Sequence, residues 1–313
     1  MSDDHVLDVA LPEGLDGWRA DRALAMLSGL SRREAAALID AGALSVNGVV
    51  VTRAAAPLDA RARLEARLPE RGVVGVEPDA SVVVTVALED PDFVVIDKAP
   101  GVVVHPGAGH RGATLIAGVL ARYPAMLASL DGLGDPERPG VVHRLDKGTS
   151  GLLVVATSPA GFAGLAAQMR AHLARRTYLA LVEGTVAADA GVVDAPIGRS
   201  TRTPTRMSVR VDGRDARTRY EVVGRLDGPP ATTLVRVGLE TGRTHQIRVH
   251  LASIGHPVVN DTRYGHRRDR RLGEDRPFLH AARLEFAHPL TGERVDVSSA
   301  LPDDLAALVP GLA

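Results

Sequence analysis

The chain contains no cysteine. It therefore has no disulfide framework and no thiolate nucleophile, and the usual zinc clusters lose their commonest ligand. Aromatic residues are scarce, at 3% of 313 residues. Lysine is nearly absent too: Lys98 and Lys147 are the only two, so arginine supplies the rest of the 37 basic residues. No apolar run approaches the roughly 20 residues that a membrane-spanning helix needs. The opening stretch, MSDDHVLDVALPEG, is acidic where a secretory leader would be basic. The expectation is a cytoplasmic protein with no membrane association, whose chemistry falls to Asp, Glu, His, Tyr, Ser, Lys or Arg.

A net charge of −1 argues against a protein that simply coats nucleic acid. The arginines are nevertheless bunched. Seven lie between Arg199 and Arg219 against two Asp, and six between Arg263 and Arg276 against three acidic residues. Such runs either form local phosphate-binding surfaces or are solvated loops of an Arg- and Ala-rich chain, and charge alone leaves both open.

The length allows more than one domain, since domains usually run about 100 to 200 residues. Residues 1–16 read as an N-terminal extension and 17–75 as a small unit. In that unit WRADRALAMLSGL places Trp18, Arg22, Ala25 and Met26 at helical spacing. Ser31 then stands as N-cap for SRREAAALIDAG, with Glu34 completing a capping box and Gly42 ending the helix. LSVNGVVV follows, its Asn47-Gly48 a hairpin signal, and then the alternating ARLEARL. Two short helices and a hairpin, with Arg19, Arg22, Arg32 and Arg33 on the helical part, suit a nucleic-acid-binding module. The pattern, carried by SRREAAALIDAGALSVNG, resembles the alpha-L RNA-binding motif.

Residues 76–88 read as a linker with a strand in VVVTVAL, 89–302 as the main domain and 303–313 as a tail. Short strands dominate the main domain: FVVID, GLLVVA, YLALVEG, TRYEVV, TTLVRVGLE and RLEFAH. One helix is expected in PAGFAGLAAQMRAHLARR, capped by Ser158 with Pro159 in its first turn; its stripe of Phe162, Leu165, Met169 and Leu173 reads as core. A second is expected in THQIRVHLASIGHP, stopped by Gly255 and Pro257. Many strands with few helices indicate an α+β fold with a mixed or antiparallel sheet.

Three stretches pack polar groups against apolar ones: DKAPGVVVHPG, HRLDKGTSG and ETGRTHQIRVHL. His245 and His250 are five apart, a spacing that does not put both on one helix face, so a two-histidine metal site is not expected. No Gly-Lys-Ser or Gly-Lys-Thr opens a helix after Gly148 and Gly151, so no phosphate loop is expected either. What remains is Asp146 at the entrance of the buried strand LLVVA, with Arg144 beside it and Arg243 and Arg248 in a distant segment. A carboxylate used as nucleophile or base must stay ionised while partly buried, and a neighbouring guanidinium favours that state. Spacing alone leaves open a purely structural Asp–Arg pair.

Taken together, HRLDKGTSGLLVVA, KAPGVVVHP, RTYLALVEG, ETGRTHQIRVHLASIGHPVVNDTRYG and LHAARLEFAHP resemble the landmarks of the RluA-type pseudouridine synthases, over nearly the whole chain with the RNA-binding unit included. The resemblance, RluD-like in its two-domain layout, implies an RNA isomerase with no cofactor and no metal. Its catalytic domain would be a bent mixed, mainly antiparallel sheet with the site in a central cleft. It implies that Asp146 initiates cleavage of the glycosidic bond, that Tyr178 stacks on the uracil, that Arg248 pairs with the aspartate and that Arg144 supports base flipping. Arg243 and His245 join the RNA-contacting set, and the glycines of HRLDKGTSG would let RNA approach. Large-subunit, 23S-type ribosomal RNA is the expected partner of a monomeric enzyme. A tRNA target and a non-catalytic ribosome-assembly factor are the alternatives. Two departures stand out: Arg176 where many relatives carry Lys, and Asn260 where Gly is frequent, a change beside a turn.

Overall fold

Asn47 and Gly48 take φ values of 49° and 78°, the left-handed pair that a two-residue type I′ turn requires, and they join strands β2 (Leu44–Val46) and β3 (Val49–Val50). In this computed structural model the residues described are 5–11, 17–28, 30, 32–59, 62–68, 76–107, 112–130, 133–203, 205–266 and 272–312, less the side chains of His5 and Arg33. They fall into two compact units, Met1–Val74 and Gly75–Ala313.

In the first unit β1 (His5–Ala10), helices α1 (Ala20–Ser28) and α2 (Arg32–Asp40), β2, β3 and β4 (Arg63–Leu68) follow one another. The sheet order is β1-β4-β2-β3. The stretch read as an N-terminal extension thus holds β1, which pairs with β4 along its whole length, from His5 opposite Leu68 to Ala10 opposite Arg63. Ala20, Ala23 and Leu24 of α1 pack with Ala35 and Ile39 of α2 on Leu44, Leu64 and Ala66. Met26, expected on the helical stripe, is exposed. Gly42, at φ 73°, follows the end of α2, and the expected cap Ser31 lies outside the described residues.

The second unit is built on a nine-stranded sheet. Its elements are β5 (Val86–Glu89), β6 (Phe93–Lys98), α3 (Leu115–Arg122), α4 (Ala125–Ser129), β7 (Ser150–Ala156), α5 (Pro159–Arg170), β8 (Arg175–Glu183) and β9 (Ala190–Asp194). The small hairpin β10 (Ile197–Arg199) and β11 (Met207–Val209) follows, then β12 (Arg217–Leu226), β13 (Thr232–Leu239), α6 (Gln246–Ser253), β14 (Leu279–Ala287), β15 (Arg294–Ser298) and α7 (Asp303–Ala306). Strand order is β5-β6-β7-β14-β8-β13-β12-β9, with β15 beside β14. The β7–β14 pair is parallel and every other described pair in the sheet is antiparallel.

Alternation along the central strands divides the core between the two sheet faces. Phe93, Val95, Leu152, Val154 and Ala156 pack with Leu165 of α5, whereas Val94, Ile96, Leu153 and Val155 pack in the cluster that holds α3 and Ile247 and Leu251 of α6. Being covered on both faces, β7 reads as a continuous apolar run.

Several expectations are corrected. Helix α5 starts as read, with the Ser158 side chain accepting from the Gly161 N–H at 3.0 Å, but ends at Arg170. His172 turns to φ 57°, and Arg175 and Arg176 enter β8 opposite Glu285 and Leu284 of β14, so sheet pairing captures residues with ordinary helical propensity. Leu173 consequently lies exposed rather than in the core. The tail carries α7, whose Leu305 joins the main core with Leu308 and Val309. Only the end of VVVTVAL is a strand; Val82 and Val84 lie against Gly118 of α3, where a Cβ would collide with them.

Candidate active site

Strand β7 fixes one end of the segment that carries Asp146, and hydrogen bonds fix the rest. The Asp146 carbonyl accepts from the Thr149 N–H at 3.1 Å, the Lys147 carbonyl from the Gly101 N–H at 2.8 Å and from Lys98 Nζ at 3.2 Å, and the Gly148 carbonyl from Arg276 Nη1 at 3.0 Å. Three successive carbonyls are thus taken, which leaves little freedom to the loop except in the Asp146 side chain. His143, at the start of the motif, accepts the Val154 N–H at Nε2 (3.0 Å) and ties the loop back onto β7. Burial, with Arg176 nearby, pushes its pKa down to about 3, so it stays neutral and able to accept.

The glycines of this loop serve protein packing and not an approaching RNA. A Cβ on Gly148 would collide with the Asp275 carbonyl oxygen and Pro277, and one on Gly151, at φ 107°, with the backbone of Ala281. Gly151 stands opposite Ala281 in the parallel β7–β14 pair. The loop needs these positions bare so that β14 and the segment before it can close upon it.

Arg248, on α6, reaches Asp146 with one arm and grips a second carboxylate with the other two donors. Its Nη1 donates to Asp146 Oδ2 at 2.9 Å, while Nε and Nη2 donate to Asp261 Oδ2 and Oδ1 at 2.6 and 2.8 Å. The planar guanidinium suits this bidentate-plus-one arrangement. Burial works against its charge, yet the bond to Asp261 and the fields of Asp146 and Asp261 prevail and raise its pKa. Burial likewise opposes ionisation of Asp261, whose side chain is 0% exposed. Its bond to Arg248 outweighs that, with help from the N–H groups of Arg263 and Tyr264, each 3.0 Å from Oδ1, and its pKa is lowered.

Six residues singled out from sequence line one pocket: Arg144, Asp146, Tyr178, Arg243, His245 and Arg248. Tyr178 is 4% exposed, on β8 between Val237 and Ala281, and burial raises its pKa so that it stays protonated at neutral pH. Arg144 is exposed at the rim. Arg243 donates through Nε to the Asp215 carbonyl at 2.9 Å rather than to Asp146. His245 holds Nε2 3.9 Å from Asp146 Oδ1.

Arg19, Arg22 and Arg32 belong to the first unit. Arg19 and Arg32 both donate to the buried Asp21, at 2.9 and 3.1 Å. The Arg19 bond is the largest cause that holds Asp21 at a pKa of about 2. Arg22 lies over the Trp18 ring, 3.7 Å from its centroid. The side chain of Arg33 lies outside the described residues.

Sequence reading missed Asp261, Lys98, Arg276 and Tyr264. Lys98 is 1% exposed and donates to the carbonyls of Ala99, Val102 and Lys147 at 2.8, 3.0 and 3.2 Å. Its position in the apolar run FVVIDKAPGVVV was a usable signal, because a lysine there must bring its own partners. Asp261 follows PVVN, again a charge beside apolar residues. Asn260, read as a departure, occupies φ 61°, which asparagine tolerates better than most residues. It adds bonds from Nδ2 to the carbonyls of Gly273 and Arg276, both 2.9 Å. Among the described residues Asp90, Asp92 and His288 could share a metal ion, but none of them lines this pocket.

Residues 92–253 match the family described as RNA pseudouridylate synthase, and residues 18–64 match the S4 domain. The chain is 39% identical over 310 residues to ribosomal large subunit pseudouridine synthase D of Zymomonas mobilis, covering 96% of this chain and 95% of that one. It is 40% identical over 298 residues to a protein of Mycobacterium bovis named as an RNA pseudouridine synthase, covering 94% of each. Among solved structures, human RNA pseudouridylate synthase domain containing 1 aligns with a TM-score of 0.58 at 27% identity, over 74% of this chain and 89% of that one.

Proposed function

Because this chain belongs to the RNA pseudouridine synthase family, we propose that Asp146 initiates the isomerisation of a uridine held in the pocket it shares with Tyr178 and Arg248. The observation that carries the reading is the ion triad, in which Arg248 spends two donors on Asp261 and one on Asp146 Oδ2. One oxygen of Asp146 is charge-compensated and the other is left to the pocket. That suits a carboxylate that must remain an anion and still act on a substrate.

The reaction balances within the substrate. The bond from uracil N1 to the ribose breaks, a bond from C5 to the same ribose carbon forms, C5 loses its proton and N1 gains one. Asp146 starts the cleavage, Tyr178 stacks on the uracil, and Arg144 supports the displaced strand at the rim. Extruding a base costs a few kcal/mol, and cations on the backbone help offset it. Arg243 adds positive charge to the pocket lining. Arg19, Arg22, Arg32 and Arg33 of the first unit hold the RNA by its phosphates.

The substrate in this reading is large-subunit ribosomal RNA, supported by the name of the Zymomonas relative. The test is to map pseudouridines in cellular RNA with and without the gene. Loss of one or more sites in large-subunit rRNA is expected. Loss confined to tRNA would overturn the substrate assignment, and an unchanged map would overturn an activity on either RNA.

A further inference from the structure

His245 holds a backbone conformation that residues with side chains rarely adopt, φ 56° and ψ 21°, at the start of α6. Such positions persist only where the surroundings impose them, and they gather at working sites. Here the restraint comes from the next residue. Gln246 is buried, and its Oε1 accepts from the Thr241 hydroxyl at 2.7 Å and the Arg243 N–H at 2.9 Å. Its Nε2 donates to the Arg217 carbonyl and the Thr218 hydroxyl, both at 3.0 Å. With the amide fully engaged, the imidazole is aimed between two groups: Nδ1 is 2.8 Å from the Tyr264 hydroxyl and Nε2 is 3.9 Å from Asp146 Oδ1.

Proton accounting selects the tautomer. The Tyr264 oxygen accepts the Met207 N–H of β11 at 3.0 Å, and donating its own proton across the 2.8 Å contact with Nδ1 satisfies the hydroxyl, whereas accepting there as well would leave that proton without a partner among the described residues. An imidazole that accepts at Nδ1 carries its proton on Nε2, the nitrogen that faces Asp146. Burial lowers the pKa of His245, with Asp146 working in the opposite sense, and burial raises that of Tyr264, so a neutral donor–acceptor pair is consistent on both sides.

We propose that Tyr264 and His245 form a positioning relay for Asp146, in which the Tyr264 hydroxyl locks His245 as the Nε2–H tautomer and that N–H is presented to Oδ1, the oxygen Arg248 does not take. At 3.9 Å this is not yet a hydrogen bond. Donors at reaction sites often close to bonding distance only when substrate is bound. The two oxygens of Asp146 are thereby differentiated: Oδ2 is held by a cation, and Oδ1 meets a neutral donor that orients it without quenching its reactivity. Tyr264 also stands over Arg248, 5.2 Å from ring centroid to guanidinium carbon, so one residue braces both partners of the aspartate. The relay rests on the reading of Asp146 as the reacting carboxylate.

The test combines imidazole 15N chemical shifts of the histidine-labelled full chain with kinetics of Tyr264→Phe and His245→Asn. Asparagine tolerates the left-handed backbone but is too short to reach Asp146. The unaltered protein should show His245 as the Nε2–H tautomer, and Tyr264→Phe should show a mixture of tautomers. In kinetics, Tyr264→Phe should lower kcat about 10-fold with KM for RNA unchanged, and His245→Asn should lower it further. Adding Tyr264→Phe to His245→Asn should cost nothing more, because tyrosine acts through histidine. An Nδ1–H tautomer in the unaltered protein, or additive effects in the double variant, would overturn the relay. The tautomer is read without turnover, so inactivity of the unaltered chain would count against the functional reading alone.

Discussion

Two ionic trios, one in each unit, are built as mirror images. In the second unit one buried arginine, Arg248, serves two carboxylates, Asp146 and Asp261. In the first unit one buried carboxylate, Asp21, serves two half-exposed arginines, Arg19 and Arg32. The first arrangement uses up the cation inside the protein and leaves a carboxylate oxygen facing a pocket. The second uses up the anion inside and leaves guanidinium edges facing out. Which sign is buried decides what the cluster can do: the former presents an anion to the pocket, the latter presents cations of a kind suited to phosphates.

The sharpest way to break the comparison is to remove the second carboxylate of the inner trio. Asp261→Asn should destabilise the second unit by about 3–5 kcal/mol, the cost of leaving a buried charge without its partner, as read by urea unfolding followed by circular dichroism. It should also reduce pseudouridine formation, because Arg248 loses the grip that aims it at Asp146. Unchanged stability would mean that Asp146 alone suffices to hold the guanidinium.

The outer trio should respond in the opposite pattern. Arg19→Gln combined with Arg32→Gln should weaken RNA binding about 10-fold and flatten its salt dependence, while the rate at saturating RNA stays as before. An effect on the saturated rate and none on affinity would undo the division of labour between the units.

Lys98 is a third way to bury a charge, with carbonyls and, among the described residues, no carboxylate at bonding distance. Burial, reinforced by the positive charge of Arg276, brings its pKa down from 10.5 to about 7. The unfolded chain therefore binds the proton more tightly between about pH 7 and the ordinary lysine range. The stability penalty is complete below pH 7 and is relieved as pH rises. Against a Lys98→Met variant, which lacks this titration, the natural protein should gain stability between pH 7 and 10. A pH-independent gap between their unfolding midpoints would contradict this.

The smallest effect concerns Asp21. Its folded pKa of about 2 lies below the ordinary 3.8, so its contribution is present above pH 3.8 and is lost as pH falls towards 2. Trp18 is the only tryptophan and lies in the same unit, so its fluorescence reports that unit alone. Asp21→Asn should flatten the acid dependence between pH 4 and 2, and an unaltered dependence would count against the burial of this ion pair.

Sequence made the inner trio two-thirds legible. Asp146 stood out because it interrupts the approach to an apolar strand, and Arg248 was set apart from Arg243 by the family resemblance, whereas Asp261 lies 13 residues beyond Arg248 and meets it only through a turn after α6. Helix α3 escaped notice because all of Leu115–Leu120 is buried, and a helix covered on every side has no polar stripe to set its period. The end of α5 was misread because strand pairing of Arg175 and Arg176 depends on β14, more than a hundred residues away. Strands β6, β7, β8, β12, β13 and β14 were legible because each carries an apolar run or alternation of its own, whereas β9 and β15 were not read from the sequence. The glycines of HRLDKGTSG were noticed but misassigned, since only the fold reveals that the Asp275 carbonyl and Ala281 occupy the space beside them.

The assignment of Asp146 is decided by one substitution. Asp146→Asn preserves the shape of the side chain and removes its charge. The purified variant should bind ribosomal RNA as the unaltered protein does and form pseudouridine at least about 10³-fold more slowly. Pseudouridine formation by Asp146→Asn at the unaltered rate would contradict it.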